Sequence, residues 1–289
     1  MAERTLSRVV PGVETSDGAG VRLRRSLGTG QAGRLDPFLL LDEFGTDNPD
    51  DYIAGFPPHP HRGFETVTYM LNGHMRHEDH MGSVGELTEG GVQWMTAGRG
   101  VIHSEMPQQR EGRMRGFQLW INLPAAEKMK PAAYRDLPAA QIPEADVPGG
   151  RVKVIAGEIP LEGRRVTGPI HGLSTEPLFV DVELGAEHLL ECPVPAGHNA
   201  FIYVYEGSVT VGRGADSREL PPRSAGILGD GDAVAVESVG DMARFILLAG
   251  RPIGEPVAQC GPFVMNTREE IKQAIADYRS GALVDYGDS

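Results

Sequence analysis

The chain has 289 residues, of which 40% are hydrophobic and 23% are charged, and its formal net charge is −13. Nucleic-acid binding draws most of its affinity from basic side chains, so this acidic chain is not expected to bind DNA or RNA directly. No apolar run approaches the roughly 20 residues of a membrane span, and the N-terminus lacks the layout of a signal peptide. The two cysteines lie far apart in sequence. A cytoplasmic, two-domain protein is therefore expected.

Short apolar runs separated by glycine, proline and asparagine follow one another along most of the chain. They predict an all-β fold, whose tight turns account for the 38 glycines and 22 prolines. The clearest runs are Thr66–Leu71, Gln93–Thr96, Phe117–Ile121, Leu178–Leu184, Ala200–Tyr205 and Ala243–Leu248. Near the C-terminus, Arg268–Tyr278 has the pattern of a short α-helix, with Thr267 as its N-cap and Gly281 as its stop.

A segment rich in proline and alanine divides the chain into comparable halves. We predict an N-terminal domain over residues 1–122, a linker over 123–150, and a C-terminal domain over 151–289 that ends in the helix. Many short strands at near-regular spacing are typical of an all-β barrel or sandwich, and both forms remain open for each half at this point.

Two short motifs recur in the same order in both halves. Tyr69–Gly73 resembles Tyr203–Gly207, and further along Leu87–Gly90 resembles Leu228–Gly231. The identity is low, but the order and the similar spacing indicate a diverged repeat. One fold used twice is therefore predicted.

Two residue pairs share a spacing of two positions: His59 with His61, and His103 with Glu105. Side chains two apart on a strand project from the same face, about 7 Å apart, so two strands can direct four donors at one ion. Three imidazoles and a carboxylate suit a divalent transition metal with open positions, whereas structural zinc prefers a closed, sulfur-rich shell. We predict a metal site made of these four residues. Pro60, inside the first pair, fits best at a strand start or on an edge strand.

Other potential ligands lie close to the first pair. His74, His77 and His80 recur every third residue, which would suit a helix face, but the flanking glycines favour a hairpin. Residues three apart on a strand point to opposite faces, so we predict that these histidines are solvated or hydrogen-bonding. Glu65 has the same strand parity as His61, and from the residues alone it could also reach the metal.

Four segments resemble the diagnostic sequences of the pirin family, a branch of the cupins. They are His59–Val67, Gln93–Pro107, Gln118–Pro124 and Gly261–Asn266. The general cupin signature is matched less closely, with one extra residue before its glycine and with Pro107 where asparagine is usual. The pirin resemblance covers nearly the whole chain.

The resemblance implies two cupin-type β-barrel domains, with a metal in the N-terminal one only. Its ligands would be His59, His61, His103 and Glu105, whereas Glu65 is not a ligand in the family. The cofactor would be one divalent cation, iron(II) first, with copper, manganese, nickel, cobalt or zinc as alternatives.

The second half lacks these ligands. The first repeated motif places Pro193 and Pro195 at the positions of the first pair, and the second places Arg244 and Ile246 at the positions of the second pair. None of the four side chains binds metals. The C-terminal domain is therefore expected to be free of metal.

Pirins are associated with a quercetinase activity, in which a flavonol such as quercetin is opened with O2. This reaction needs a metal with free positions and a base for the substrate hydroxyl, and Glu105 is the candidate base. A metal-dependent regulator that contacts a protein partner, as eukaryotic pirins do, is the main alternative. A sugar isomerase or epimerase of the cupin type is disfavoured by the pirin-like segments.

Overall fold

The computed structural model describes residues 2–28, 33–161 and 163–284, which form mostly antiparallel strands. The first twelve strands are β1 (Leu6–Pro11), β2 (Val13–Asp17), β3 (Val21–Leu27), β4 (Phe38–Thr46), β5 (Phe56–His61), β6 (Phe64–Asn72), β7 (Met75–Asp79), β8 (Val84–Leu87), β9 (Val92–Thr96), β10 (Val101–Pro107), β11 (Met114–Asn122) and β12 (Ala133–Leu137). The others are β13 (Glu144–Val147), β14 (Gly150–Ala156), β15 (Glu158–Leu161), β16 (Arg164–Thr167), β17 (Leu178–Gly185), β18 (Leu189–Pro193), β19 (Asn199–Val211), β20 (Arg218–Leu220), β21 (Ser224–Leu228), β22 (Ala233–Gly250), β23 (Ala258–Cys260) and β24 (Phe263–Met265).

The α-helix, α1, spans Arg268–Ser280. Short 3-10 turns lie at Pro49–Asp51, Ala125–Glu127, Ala139–Gln141 and Gly214–Asp216. None of the described helices has the length and hydropathy of a membrane-spanning segment. The mostly-β architecture confirms the predicted fold class, and all six of the clearest apolar runs lie inside strands.

The chain folds into two compact units, and each contains segments that are distant in sequence. The site unit consists of the described residues of Glu14–Arg25, Phe38–Ala139 and Ile253–Ser289. The second unit consists of the described residues of Met1–Val13, Ser26–Pro37 and Ala140–Pro252.

These units differ from the predicted domains, which follow the order of the chain. β1 pairs with β21 in the second unit, and the segment after residue 252 belongs to the site unit. The predicted linker over 123–150 contains β12 and β13, which pair with β9 and β14. A strand can pair with a strand that is distant in sequence. The amino-acid composition of a segment does not show which sheet that segment joins. Residues 285–289 of the predicted C-terminal domain lie outside the described residues.

Two sheets of the site unit carry the predicted site. One has four strands in the order β5-β10-β7-β8, and the other has seven in the order β12-β9-β6-β11-β4-β3-β2. β5 is an edge strand of the smaller sheet, which is where a strand tolerates Pro60. β7 and β8 form the hairpin that was predicted for the three regularly spaced histidines.

The second unit has an apolar interior. Its sheet follows the order β1-β21-β19-β22-β17-β14-β13, with β18 paired to β22 and β20 paired to β19. Valine, leucine, isoleucine and alanine side chains from most of these strands form one continuous buried cluster. This cluster stabilises the unit by burial of apolar surface.

The two units repeat the same pattern of strand pairing. This pattern corrects the equivalence that the second repeated motif predicted between the two halves. β5 and β7 both pair with β10, and β18 and the second half of β19 both pair with the first half of β22. Arg244 and Ile246 lie in the second half of β22. The prediction that they are equivalent to His103 and Glu105 in the repeat was therefore wrong. The reason is that Gly90 precedes β9, whereas Gly231 precedes β22, which is one strand later in the repeat.

The positions of the second unit that correspond to β5 and β10 carry apolar side chains. The apolar core cluster of this unit includes Leu190 and Cys192 from β18 and Val234 and Val236 from the first half of β22. Burial raises the pKa of the Cys192 thiol to about 12, so this side chain stays protonated near neutral pH. These buried residues, and not Arg244 and Ile246, therefore lie on the strands that correspond to β5 and β10.

Residues 253–284 belong to the site unit but lie outside the two sheets that carry the predicted site. The backbone of Arg62, next to His61, is bridged to Phe263. Arg62 Nη1 lies 2.6 Å from Asp277 Oδ2 on α1, and this ion pair is mostly buried. α1 begins at Thr267, whose side chain accepts from the Glu270 backbone N–H, and it ends at a left-handed Gly281, as predicted.

Candidate metal centre

Three histidines from two neighbouring strands meet at one point of the site unit. His103 on β10 lies opposite His59 on β5, and His61 follows two residues after His59. One ring nitrogen from each lies within 4.8 Å of the others. His61 and His103 are 2% and 1% exposed, and His59 is partly exposed. The geometry expected from the spacing of two positions is therefore present for these three residues.

The hydrogen bonds of the histidines leave donor nitrogens free for a metal. His59 Nδ1 lies 2.8 Å from the Pro57 carbonyl, so it carries the proton and Nε2 keeps its lone pair. His103 Nε2 has no hydrogen-bond partner among the described residues. Both ring nitrogens of His61 also lack a hydrogen bond of normal geometry, although the Pro262 backbone is near enough to raise its pKa slightly.

The protonation states of the buried histidines also suit metal binding. Burial lowers the pKa of His61 and His103 well below 6.5, and the neighbouring imidazoles lower it further. Both rings are therefore neutral at neutral pH, which is the form that binds a metal. Buried nitrogens without partners are rare in folded proteins, and three converging imidazoles provide the chemistry that a divalent transition metal requires. The residues present fit such an ion.

Glu105 lies beside the histidines, but its carboxylate is not part of the cluster of converging donor atoms. It is 4% exposed, and its Oε1 accepts a hydrogen bond of 2.9 Å from the Thr68 hydroxyl. The pairing of β10 with β5 is irregular between His103 and Glu105. This irregularity breaks the simple spacing of two positions, so the role of Glu105 as a fourth ligand stays a prediction.

Thr68 and Gln118 are site residues that the sequence did not indicate. They are cross-strand neighbours on β6 and β11 of the larger sheet, and Thr68 Oγ1 lies 2.6 Å from Gln118 Oε1. The hydroxyl therefore connects Glu105 with the partly exposed Gln118. The contact between Thr68 and Glu105 joins strands of two different sheets. It therefore cannot be inferred from the spacing of residues within one strand.

The three regularly spaced histidines have separate roles, and none belongs to the cluster of converging donor atoms. His74 Nε2 lies 2.6 Å from Glu86 Oε2 near the surface, and His80 Nδ1 accepts from the backbone N–H of Ile102. His77 is only 3% exposed, and its Nε2 lies 2.8 Å from His103 Nδ1. These residues were predicted to be solvated or hydrogen-bonding, and the contact of His77 with His103 was not predicted.

Glu65 points away from the histidine cluster. Its carboxylate accepts hydrogen bonds from Thr96 Oγ1 at 2.7 Å and from Trp94 Nε1 at 3.2 Å, and burial raises its pKa. The parity argument fails because Gly63, with φ of 90°, turns the chain from the smaller sheet into the larger one. Glu65 is therefore not a ligand in this arrangement, in agreement with the family resemblance.

Two aromatic rings pack beside His61. The ring centroids of Phe64 and Trp120 lie 5.1 and 5.3 Å from that of His61, and 4.4 Å from each other. Trp120 is partly exposed, whereas Phe64 is fully buried. Phe64 therefore lies at the site, whereas the nearby Trp94 donates a hydrogen bond to Glu65. The arrangement gives the histidine cluster one apolar, aromatic side.

Comparisons with known proteins agree with this architecture. Family models described as "Pirin" and "Pirin C-terminal cupin domain" match residues 20–121 and 179–284. A pirin-like protein of Caulobacter vibrioides is 52% identical over 282 residues, which cover 97% of this chain and 99% of that protein. A crystal structure of quercetin 2,3-dioxygenase from Acinetobacter baumannii has a TM-score of 0.87 at 33% identity, covering 98% of this chain and 99% of the other. A bacterial pirin from Escherichia coli, solved in complex with nickel(II), shares the fold at 18% identity with a TM-score of 0.64, covering 85% and 98%.

Proposed function

Because the chain belongs to the pirin family, we propose that it is a metal-dependent dioxygenase that opens flavonols such as quercetin with O2. The observation that carries this proposal is the cluster of three converging histidines with free donor nitrogens beside a buried carboxylate and an aromatic side. The similar structure described as a quercetin 2,3-dioxygenase supports the choice of substrate class.

The proposed metal is one divalent cation, with iron(II) as the first choice. His59, His61 and His103 would hold it through ring nitrogens, and Glu105 would be the fourth ligand. An ion held there would supply a Lewis acid beside the substrate hydroxyl and a redox-active centre for O2. The E. coli pirin that was solved with nickel(II) supports a divalent ion in this fold.

The side chains around the histidines divide the remaining work. The Glu105 carboxylate would accept the proton of the flavonol 3-hydroxyl, because it is the buried carboxylate closest in sequence and in strand position to the cluster. The Thr68 hydroxyl orients this carboxylate through its 2.9 Å hydrogen bond. Phe64 and Trp120 offer flat apolar surfaces that would pack against an aromatic substrate and exclude water.

The test is oxygen-dependent turnover of quercetin by iron-loaded protein. Loss of the flavonol absorption band is followed under air, with an anaerobic sample as control. Glu105→Gln keeps the size of the side chain but removes the basic carboxylate. We expect this variant to retain iron and bind quercetin while turning it over roughly 10²–10⁴-fold more slowly.

Glu78→Gln is the matched control, since Glu78 is exposed and lies on the neighbouring strand β7 opposite Ser104. Its rate should equal that of the wild type. Equal rates for wild type and Glu105→Gln would remove Glu105 from the mechanism. If iron-loaded wild type shows no oxygen-dependent turnover, the enzyme proposal fails and the metal-dependent regulator becomes the better explanation.

A further inference from the structure

His77 occupies a buried position directly behind one of the proposed metal ligands. It lies on β7 opposite Glu105 of β10, and its ring centroid is 4.8 Å from that of His103. Its Nε2 is 2.8 Å from His103 Nδ1, and its ring also packs against Tyr134, with 4.9 Å between the centroids. The imidazole is therefore held in one orientation by packing and by a hydrogen bond.

The direction of this hydrogen bond follows from the surroundings of His103. A neutral imidazole has one N–H group. If that proton were on Nε2 of His103, a buried donor would have no acceptor, because this atom has no hydrogen-bond partner among the described residues. An unsatisfied buried donor is unfavourable. The proton is therefore on Nδ1, and it is donated to Nε2 of His77.

A polar environment lies on the other side of His77. The residue opposite it on β8 is Gly85, and a Cβ atom there would lie 2.7 Å from Asp136 Oδ2. Glycine thus leaves room for the Asp136 carboxylate in the vicinity of His77. Gln93 Nε2 donates to Asp136 Oδ1 over 2.9 Å and fixes the carboxylate in place. An anchored acidic group therefore lies in the vicinity of His77.

We propose that His77 is a positioning residue of the metal site: it accepts the hydrogen bond from His103 Nδ1 and thereby directs the free lone pair of His103 Nε2 toward the metal. The inference rests on the proposed metal site. Ligating histidines commonly donate their second N–H to a carboxylate, a carbonyl or water, and here a second imidazole has that role.

The test measures zinc(II) affinity of the full chain, by competition with a chromogenic chelator, for two substitutions of His77. His77→Leu fills a similar volume but accepts no hydrogen bond, and we expect it to weaken binding about 10–100-fold. His77→Gln keeps an acceptor oxygen at similar reach and should restore most of that loss. His74→Leu removes a partly exposed histidine just before the same strand and should bind zinc as the wild type does.

His61→Ala separates the failure of this inference from the failure of the proposed site. If His61→Ala binds zinc as tightly as the wild type, the proposed site is wrong. If His61→Ala loses zinc while His77→Leu does not, only the role of His77 is overturned. Equally weak binding by the Leu and Gln variants would also overturn it, because a lost packing contact alone would then explain the effect.

A second measurement does not depend on any variant folding. Long-range ¹H–¹⁵N correlation spectra of the zinc-loaded wild type report which ring nitrogen of each histidine carries a proton. We expect the proton of His103 on Nδ1 and the proton of His77 also on Nδ1. A proton on Nε2 of His77 would mean that His77 donates to His103, and the proposal would be overturned.

Discussion

His61 and His103 link the stability of the metal-free protein to pH. Burial lowers the pKa of both imidazoles well below 6.5 in the folded state. As the pH falls below 6.5, the unfolded chain binds more protons at these positions than the folded chain, so the free energy of unfolding decreases. The slope is up to about 1.4 kcal/mol per pH unit for each histidine. Urea unfolding of metal-free protein at several pH values between about 5 and 7.5 measures it.

The matched variants are His61→Ala and His74→Ala. The first should reduce the slope below pH 6.5, because one of the buried groups with a lowered pKa is gone. The second is the control, because His74 lies outside the cluster of converging histidines. The same slope in wild type and His61→Ala would show that the buried imidazole does not carry the pH dependence.

Lys128 provides a second prediction for a single residue. Its ammonium group donates to the Gly63 carbonyl at 2.8 Å, to Asn122 Oδ1 at 2.6 Å and to the Val264 carbonyl at 3.0 Å. Burial lowers its pKa to about 8. Lys128→Met would leave these buried acceptors without a donor, and we expect a loss of about 2–4 kcal/mol of unfolding free energy.

Chemical unfolding near neutral pH measures this loss, with Lys272→Met as the control. Lys272 is exposed on α1, so its substitution should change stability by less than about 0.5 kcal/mol. A Lys128→Met variant as stable as the control would mean that the three acceptors find other donors.

Among the elements, α1 has a start whose contribution can be isolated. Thr267 and Glu270 form a reciprocal capping box, and the helix buries Ile271 and Ala274. Thr267→Ala removes the side-chain acceptor and should lower the unfolding free energy by about 1 kcal/mol. Thr267→Ser keeps the acceptor and should cost much less. Thermal unfolding of both variants is the measurement. If both lose the same amount of unfolding free energy, the side-chain cap does not stabilise the protein.

The secondary-structure elements also explain how much of the site could be predicted from sequence. Spacing within one strand correctly predicts that His59 and His61 share a face, and the helix signals at Thr267 and Gly281 are local as well. Register between strands is not contained in such spacing. For this reason neither the position of Glu105 across an irregular pairing nor the contact of His77 with His103 follows from the sequence alone.

For the whole molecule, we predict one tightly bound metal per chain. The site unit brings three histidines together, while the corresponding strands of the second unit contribute apolar side chains and a protonated Cys192 to a closed core. Elemental analysis after anaerobic loading with iron(II) and removal of excess metal should give about one ion per chain. Two tightly bound ions would show that the second unit has a site of its own.

The interleaved composition of the units has a consequence for synthesis on the ribosome. Domains generally fold from the N-terminal end as the chain emerges. Here the backbone next to His61 is bridged to Phe263, and Arg62 finds its ionic partner only at Asp277. The histidines emerge early, yet the surroundings that fix them are translated much later. A nascent chain that already exposes all of its histidines therefore still lacks the finished metal site, and we expect stable metal capture to follow the release of residues 253–284 from the exit tunnel.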